Sequence, residues 1–424
     1  MLKISRNSNY LYWTIIAFVL LLSVSYYVFS FLFSGERKSQ IDEIYFADNI
    51  TPAHTILIEK FNKEYEGRIK VVAIDLPFSK FSTNERKEIL TRSLRGKSNR
   101  IDIFSVDHIW VKRFAKWAEP LDKYFSVISR RDIIPKAMES CFFKERLYAI
   151  PFKIDISTMF YRHDLLSKIE GYENILQKFK ESITWQEFIR IGMSLPQYKN
   201  NYYLFTANNY EGLVSSFLEL VLNMDENFFL QKKSFNSEIG YKALKLLVDL
   251  VNDYQLTPIE MTRAKEFQAH QYFANNDVLF LRSWPTFSFD YHHYFSEELK
   301  KDIRPIPLPH LSGTPTANIL GGWNLMISEF SNHKDEAAEF IRYLLLDENQ
   351  KILYENSGSL PIKSSFYSDI EEDVNNSSDV AFYKKLIDRG IHRPFLEDYT
   401  RISDILSYYT NLAITKEISI DSAL

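Results

Sequence analysis

The chain has 424 residues, with 51 Lys and Arg against 55 Asp and Glu for a formal charge of −4, and the two signs are mixed along it. That balance excludes the basic stripe of a nucleic-acid-binding protein. A single cysteine, Cys141, excludes an intrachain disulfide, so the fold must be held by its apolar core.

The first predicted element is a helix without charge. From Leu11 to Phe33 the run LYWTIIAFVLLLSVSYYVFSFLF would cover roughly 34 Å at about 1.5 Å per residue, enough to cross a bilayer. Tyr12 and Trp13 near one end, and Tyr26 and Tyr27 toward the other, suit aromatic placement at two interfaces. A secretory signal is the competing reading, because Lys3 and Arg6 make a basic start and Ser34-Gly35 offers small residues. The length of the run and the lack of an A-x-A-like site favour an uncleaved anchor over 11–33, after a short flank 1–10. Arg37 and Lys38 nearly balance Lys3 and Arg6, so charge says little about orientation.

Beyond the span the chain is too long for one ordinary core and predicts two lobes. Ile41 to Ala47 reads as a strand, Thr51-Pro52 opens a helix with Ile56, Phe61 and Tyr65 on one face, and Ile69 to Ile74 is a second strand. A helix over Asn84 to Arg95 and a strand of continuous apolar character over Ile101 to Val106 follow, as in a parallel or mixed sheet covered on both faces. Ile150 to Phe160 is extended, Arg162 to Lys168 helical, and Thr184 to Tyr254 largely helical. A strand over Asp277 to Leu281 ends at Arg282-Ser283-Trp284-Pro285. Pro305, Pro307 and Pro309 hold the next stretch extended until Gly321-Gly322 and Trp323 lead into an apolar strand, and Asp335 to Leu346 is an amphipathic helix.

The glycine pair can bring bare backbone against a ligand, and an indole beside it can cover the apolar face of a sugar ring, so this stretch suits a neutral, hydroxyl-rich molecule; a tight turn into a buried strand is the plainer alternative. Asp107, ending a predicted parallel strand, sits where open α/β sheets place ligands, though it could equally cap the segment near Trp110. Trp110 reads as ligand wall or as core. Motifs for chemistry are missing: there is no G-x-S-x-G, H-E-x-x-H or G-x-x-x-x-G-K-[ST]. Asp107 with Asp155 is the only carboxylate pair that could serve a glycoside hydrolase.

The blocks IDIFSVDHIW at 101–110, KWAEPLDKYF at 116–125 and RLYAIPFKIDISTMFYRHDLL at 146–166 occur in order with TWQEF at 184–188 and SWP at 283–285. LGGWNLMISEFSNHKDEAAEFIRYLL at 320–345, GSLPIKSSFY at 358–367 and RPFLEDYTRISDIL at 393–406 complete the series. Together they resemble the extracellular solute-binding proteins of ABC importers, in the carbohydrate-binding group. The resemblance implies an α/β, two-lobe, periplasmic-binding-protein-like fold of type II, with a hinge and an interlobe cleft. It places the first lobe at 41–152 plus 302–330 and the second at 153–301 plus 331–424.

It further implies a carbohydrate ligand held by Trp284, the position that stacks on sugar in many members, with Asp155 near the cleft. Arg282 would fork onto hydroxyls or pair with an acid, Gly321, Gly322 and Trp323 would form the first-lobe wall, and Asn49 and Tyr161 are weaker candidates. The partners implied are ABC permease subunits, with no cofactor, metal or nucleic acid, for a monomeric, membrane-anchored protein outside the cytoplasmic membrane. A tethered sugar sensor acting with a signalling partner is the alternative that the retained anchor suggests.

Overall fold

The computed structural model describes residues 7–33, 41–180, 182–231, 233–290, 295–314, 318–371 and 378–424. Helix α1, Asn7–Phe33, is the expected apolar element. Its described side chains, 13–26, lie exposed, with Trp13 at 70% and Tyr26 at 73%. Among the described residues no helix is long and apolar enough to cross a membrane. The basic flanks of the expected span, within 1–6 and 34–40, lie outside the described residues.

Strands and helices then alternate as β1 (Asp42–Asp48), α2 (Pro52–Glu64), β2 (Ile69–Asp75), α3 (Thr83–Arg95) and β3 (Ile103–Asp107). Their starts are chemically marked. Pro52 opens α2, where a missing amide hydrogen costs nothing. Ser82 caps α3 while Glu85 reaches back to the Ser82 amide. β1 pairs in parallel with β2, Asp42 opposite Ile69, and with β3.

Ile150–Phe160, expected as one extended segment, is two strands in different sheets: β4 (Ile150–Ile156) and β5 (Thr158–Arg162). Next come β6 (Tyr203–Leu204), α4 (Glu211–Met224), α5 (Glu238–Asn252), α6 (Glu266–Asn275) and β7 (Phe280–Ser283). The last strand starts three residues later than the sequence suggests, because Asn276, Asp277 and Val278 close the preceding turn. β8 (Ile303–Ile306) and β9 (Ile319–Ile327) lead to α7 (Lys334–Leu344), α8 (Asp347–Ser357), α9 (Ser378–Arg389), β10 (Ile391–His392) and α10 (Tyr399–Ile414).

The first sheet has the order β10-β9-β3-β1-β2, with β4 also paired to β9. β9 runs antiparallel to both β3 and β4, so the sheet is mixed. The second sheet has the order β8-β5-β7-β6. Pro305 is tolerated within it because β8 is an edge strand. Each sheet organises its own core: Phe46, Phe61, Phe104 and Phe152 in the first, Phe188, Tyr202, Phe217 and Phe280 in the second.

Among the described residues the chain changes sheets at Ser157, between Ile306 and Asn318, and after His392, and the crossings are tied together. Ser157 donates its amide to Ile319 O (2.9 Å), its Oγ accepts from the Ile319 amide (2.8 Å), and its carbonyl accepts from Asn318 Nδ2 (2.6 Å). Ile391 donates to Asn318 O (2.9 Å). Short polar bonds thus stitch the crossings together at strand termini, positions able to absorb dihedral change.

Packing differs from the lobe division read in the sequence. Residues 303–306 pair with β5 in the second sheet and not in the first lobe. Most of 331–392 joins the first core and not the second. The reason is the apolar face of α7: Phe340 meets Phe46 at 5.6 Å and Phe61 at 4.9 Å. The chain end packs on the second lobe through α10, with Ala413 and Ile414 in its core.

Candidate ligand-binding cleft

A cavity of about 260 Å³ lies between the lobes. Its floor is β9 and β4, its walls the β2–α3 connection on one side and the segment around α6 and β7 on the other. Trp284, Trp323, Asp107, Asp155, Gly321 and Gly322 all line it. Residues separated widely in sequence converge there because they sit at strand ends facing the crossover point, the usual ligand position of an open α/β sheet.

Both glycines of the 321–322 pair are needed, each for a different neighbour. A Cβ on Gly321 would lie 2.9 Å from Trp284 Cζ3 and 3.2 Å from Asp155 Cβ. Gly322 has φ +146°, and a Cβ there would come 2.7 Å from Lys153 O on the paired strand. So Gly321 admits an indole, and Gly322 admits β4. Trp323, opposite Asp107 on β3, is 8% exposed. Arg86 lies over its ring at 4.3 Å and Phe78 meets its edge at 5.3 Å.

The two carboxylates differ. Asp107 caps a short turn, accepting from the Ile109 amide at 3.3 Å, and both its oxygens accept from Arg393 Nη2 at 3.0 and 3.1 Å. Arg393 continues to Glu211 Oε1 at 2.6 Å, where Tyr399 Oη also donates (2.6 Å), while Ser403 Oγ donates to Glu211 Oε2. Burial raises the Asp107 carboxyl, with Arg393 opposing and Glu211 adding to the rise. Asp155 is 5% exposed, and its Oδ1 is buried with no hydrogen-bond partner in the structure. Burial pushes its carboxyl up to about 6, against the Lys153 charge and with help from Asp290 and Asp107. A buried acceptor facing a cavity in this state is a site for a ligand hydroxyl to donate into.

Four expected site residues stand away from the cavity. Arg282 is turned back into the second lobe, where its Nη2 and Nε bond Glu219 at 2.8 and 3.2 Å, so of its two expected roles the structure shows the pairing with an acid. Trp110 is 2% exposed in the first core, under Lys87 at 5.2 Å. Tyr161 points into the second core from β5, since strand alternation sends its side chain there. Asn49 stands at the edge: its Nδ2 donates to Asp290 Oδ1 across the cleft at 2.9 Å, and its Oδ1 accepts from the Phe78 amide at 3.2 Å.

Sequence reasoning missed Arg393, Glu211, Lys153, Asp290 and Lys265. Lys153 and Arg393 lay within noted blocks, and Lys153 is two residues from Asp155 on one strand face, a period-2 signal that could have found it. Lys265, the N-cap of α6, reaches with its Nζ to Glu85 Oε1 on α3 at 3.4 Å, a second bridge across the cleft.

The family model for bacterial extracellular solute-binding proteins matches residues 57–381. A probable ABC transporter-binding protein of Deinococcus radiodurans is 24% identical over 351 residues, covering 81% of this chain and 82% of the relative. Maltose-bound MalE3 of T. maritima superposes with a TM-score of 0.76 at 25% identity, covering 90% of this chain and 96% of that one. A Thermotoga lettingae solute-binding protein bound to alpha-D-tagatose gives 0.75 at 19% identity, with coverage of 90% and 96%.

Proposed function

The chain belongs to the bacterial extracellular solute-binding proteins, and from that premise we propose that it captures a sugar or short oligosaccharide between its lobes and hands it unchanged to an ABC permease. The chain is a binding protein and not an enzyme, and it works outside the cytoplasm. The observation that carries the sugar reading is the pairing, in one cavity, of two indoles with a buried carboxylate that lacks a partner. Indoles cover the apolar faces of a pyranose, and a carboxylate takes its hydroxyl protons. Support also comes from the maltose and tagatose named for the structures it resembles.

Closure follows from the same geometry. A ligand touching both lobes stabilises only the closed form, so binding shifts the hinge equilibrium by that difference in contact energy. The charge-free stretch 11–33 supports a tether that keeps the domain at the membrane beside its permease. With the first lobe taken as 41–156 plus 319–392, the second comprises 158–306 and the end of the chain from 399.

The test is calorimetric titration of the full-length protein with maltose, maltotriose and tagatose, followed by product analysis. Binding without turnover is the expected result, and Trp284→Ala should weaken it by about 1 to 3 kcal/mol, the worth of burying a large apolar side chain. Sugar cleavage, or full affinity in the variant, would overturn the reading. Unchanged sugar uptake in cells lacking the protein would favour a sensing role.

A further inference from the structure

Both cavity tryptophans are backed by an arginine that does not itself line the cavity. In the second lobe Arg282 Cζ lies 4.6 Å from the Trp284 ring, and the guanidinium is fixed edge-on by two bonds to Glu219 of α4. In the first lobe Arg86 Cζ lies 4.3 Å from the Trp323 ring and 4.5 Å from that of Phe78, and its Nη2 bonds Asp48 Oδ1 at 2.7 Å. Arg282 is 4% exposed and Arg86 1%. The two lobes are different in topology, and the same layering of carboxylate, guanidinium, indole and cavity occurs in each.

A guanidinium held at its edge by a carboxylate still offers its planar face, which stacks on an aromatic ring, and desolvation strengthens the attraction. We propose that Arg282 and Arg86 are positioning residues: they never touch ligand, and they fix the planes of Trp284 and Trp323 so that the two indoles present rigid, preset faces to it. This rests on the cleft being the sugar site. It also bears on selectivity. A cation behind each ring draws π density away from the front, so both faces are poor seats for a cationic ligand, whereas stacking of a neutral pyranose depends mainly on apolar burial and dispersion and survives.

Arg282 is the residue to test, because Asp48, the partner of Arg86, also accepts from Ser105 Oγ and the Asn49 amide, and disturbing it risks the fold. The variant Arg282→Met with Glu219→Gln removes the cation together with the charge of the acid that bonds it. In the full-length protein without ligand, the Trp284 signal is isolated by subtracting the spectrum of the matching Trp284→Phe protein. Loss of the Trp284 near-ultraviolet circular dichroism band and greater acrylamide quenching of its fluorescence are expected, with the thermal transition still cooperative. Where maltose binds the unchanged protein, its Kd should rise about tenfold in the double variant, and Arg282→Lys, which lacks the planar face, should not restore the band.

A retained band with unaltered quenching would overturn the positioning role, whatever the Kd does; with a raised Kd it would make Arg282 a ligand contact. Failure of the unchanged protein to bind any of the sugars counts against the sugar reading alone and leaves the positioning role to be judged from the spectra.

Discussion

Asp155 shows how a single side chain can be kept beside a cavity at the expense of the fold. Its carboxyl titrates near 6 against an ordinary 3.8, so the folded protein favours the protonated form. Stability from this group is therefore fully present below the ordinary aspartate range and is lost as the pH rises through about 6. The shift corresponds to at most roughly 3 kcal/mol at neutral pH. Asp155→Asn should raise the ligand-free unfolding temperature at pH 7.5 and hardly at pH 4, while weakening sugar binding at pH 7.5. Calorimetric scans at the two pH values check it; an equal gain at both would show that ionisation is not the cause. Asp107 differs in that both its oxygens already accept from Arg393.

At the scale of elements, β9 does the most to assemble the site. It pairs with β3, β4 and β10, and carries both glycines and Trp323 through the middle of the first sheet. The register between β9 and β4 shifts between Trp323 and Asn324, next to the left-handed-side φ of Gly322. Gly322→Ala should cost roughly 2 to 4 kcal/mol, since the strained φ and the contact with Lys153 O are both backbone problems that no rotamer can relieve. Gly321→Ala meets the rim of the Trp284 ring instead. It should cost about 1 to 2 kcal/mol of stability and lower sugar affinity by displacing the indole. Urea titration with calorimetry separates the pair, and equal stability losses would show that the two glycines do not have different roles.

At the scale of the whole molecule, side-chain bridges among the described residues join the lobes at Asn49 to Asp290, at Lys265 to Glu85, and at Arg393 to both Asp107 and Glu211. They differ in burial, and so in what they do. Arg393 is 2% exposed between two buried acids, and Arg393→Met strands both; a loss of about 3 to 5 kcal/mol is expected in urea titration. Lys265 and Glu85 are solvated at the rim, where such a pair contributes about 0 to 1 kcal/mol. Lys265→Ala should leave the unfolding midpoint almost unchanged yet expand the ligand-free protein in small-angle scattering, by freeing the open form. A large drop in stability with unchanged dimensions would assign Lys265 to the fold and not to closure.

The sequence by itself determined the alternating strands and helices, the apolar first helix, the ordered blocks of a two-lobed binding protein, and Trp284, Trp323, Asp155 and the glycine pair as cavity residues. These were legible because periodicity, helix caps and glycine chemistry are local, written within a few neighbouring residues. Only the tertiary structure decided that Ile150–Phe160 breaks at Ser157 to change sheets, that α7 returns to the first core, and that Arg282 turns inward to Glu219. The same holds for Arg393, which meets Asp107 from 286 residues away. Such outcomes depend on which distant surface a face or charge finds to bury against, and no pattern within one segment encodes its partner.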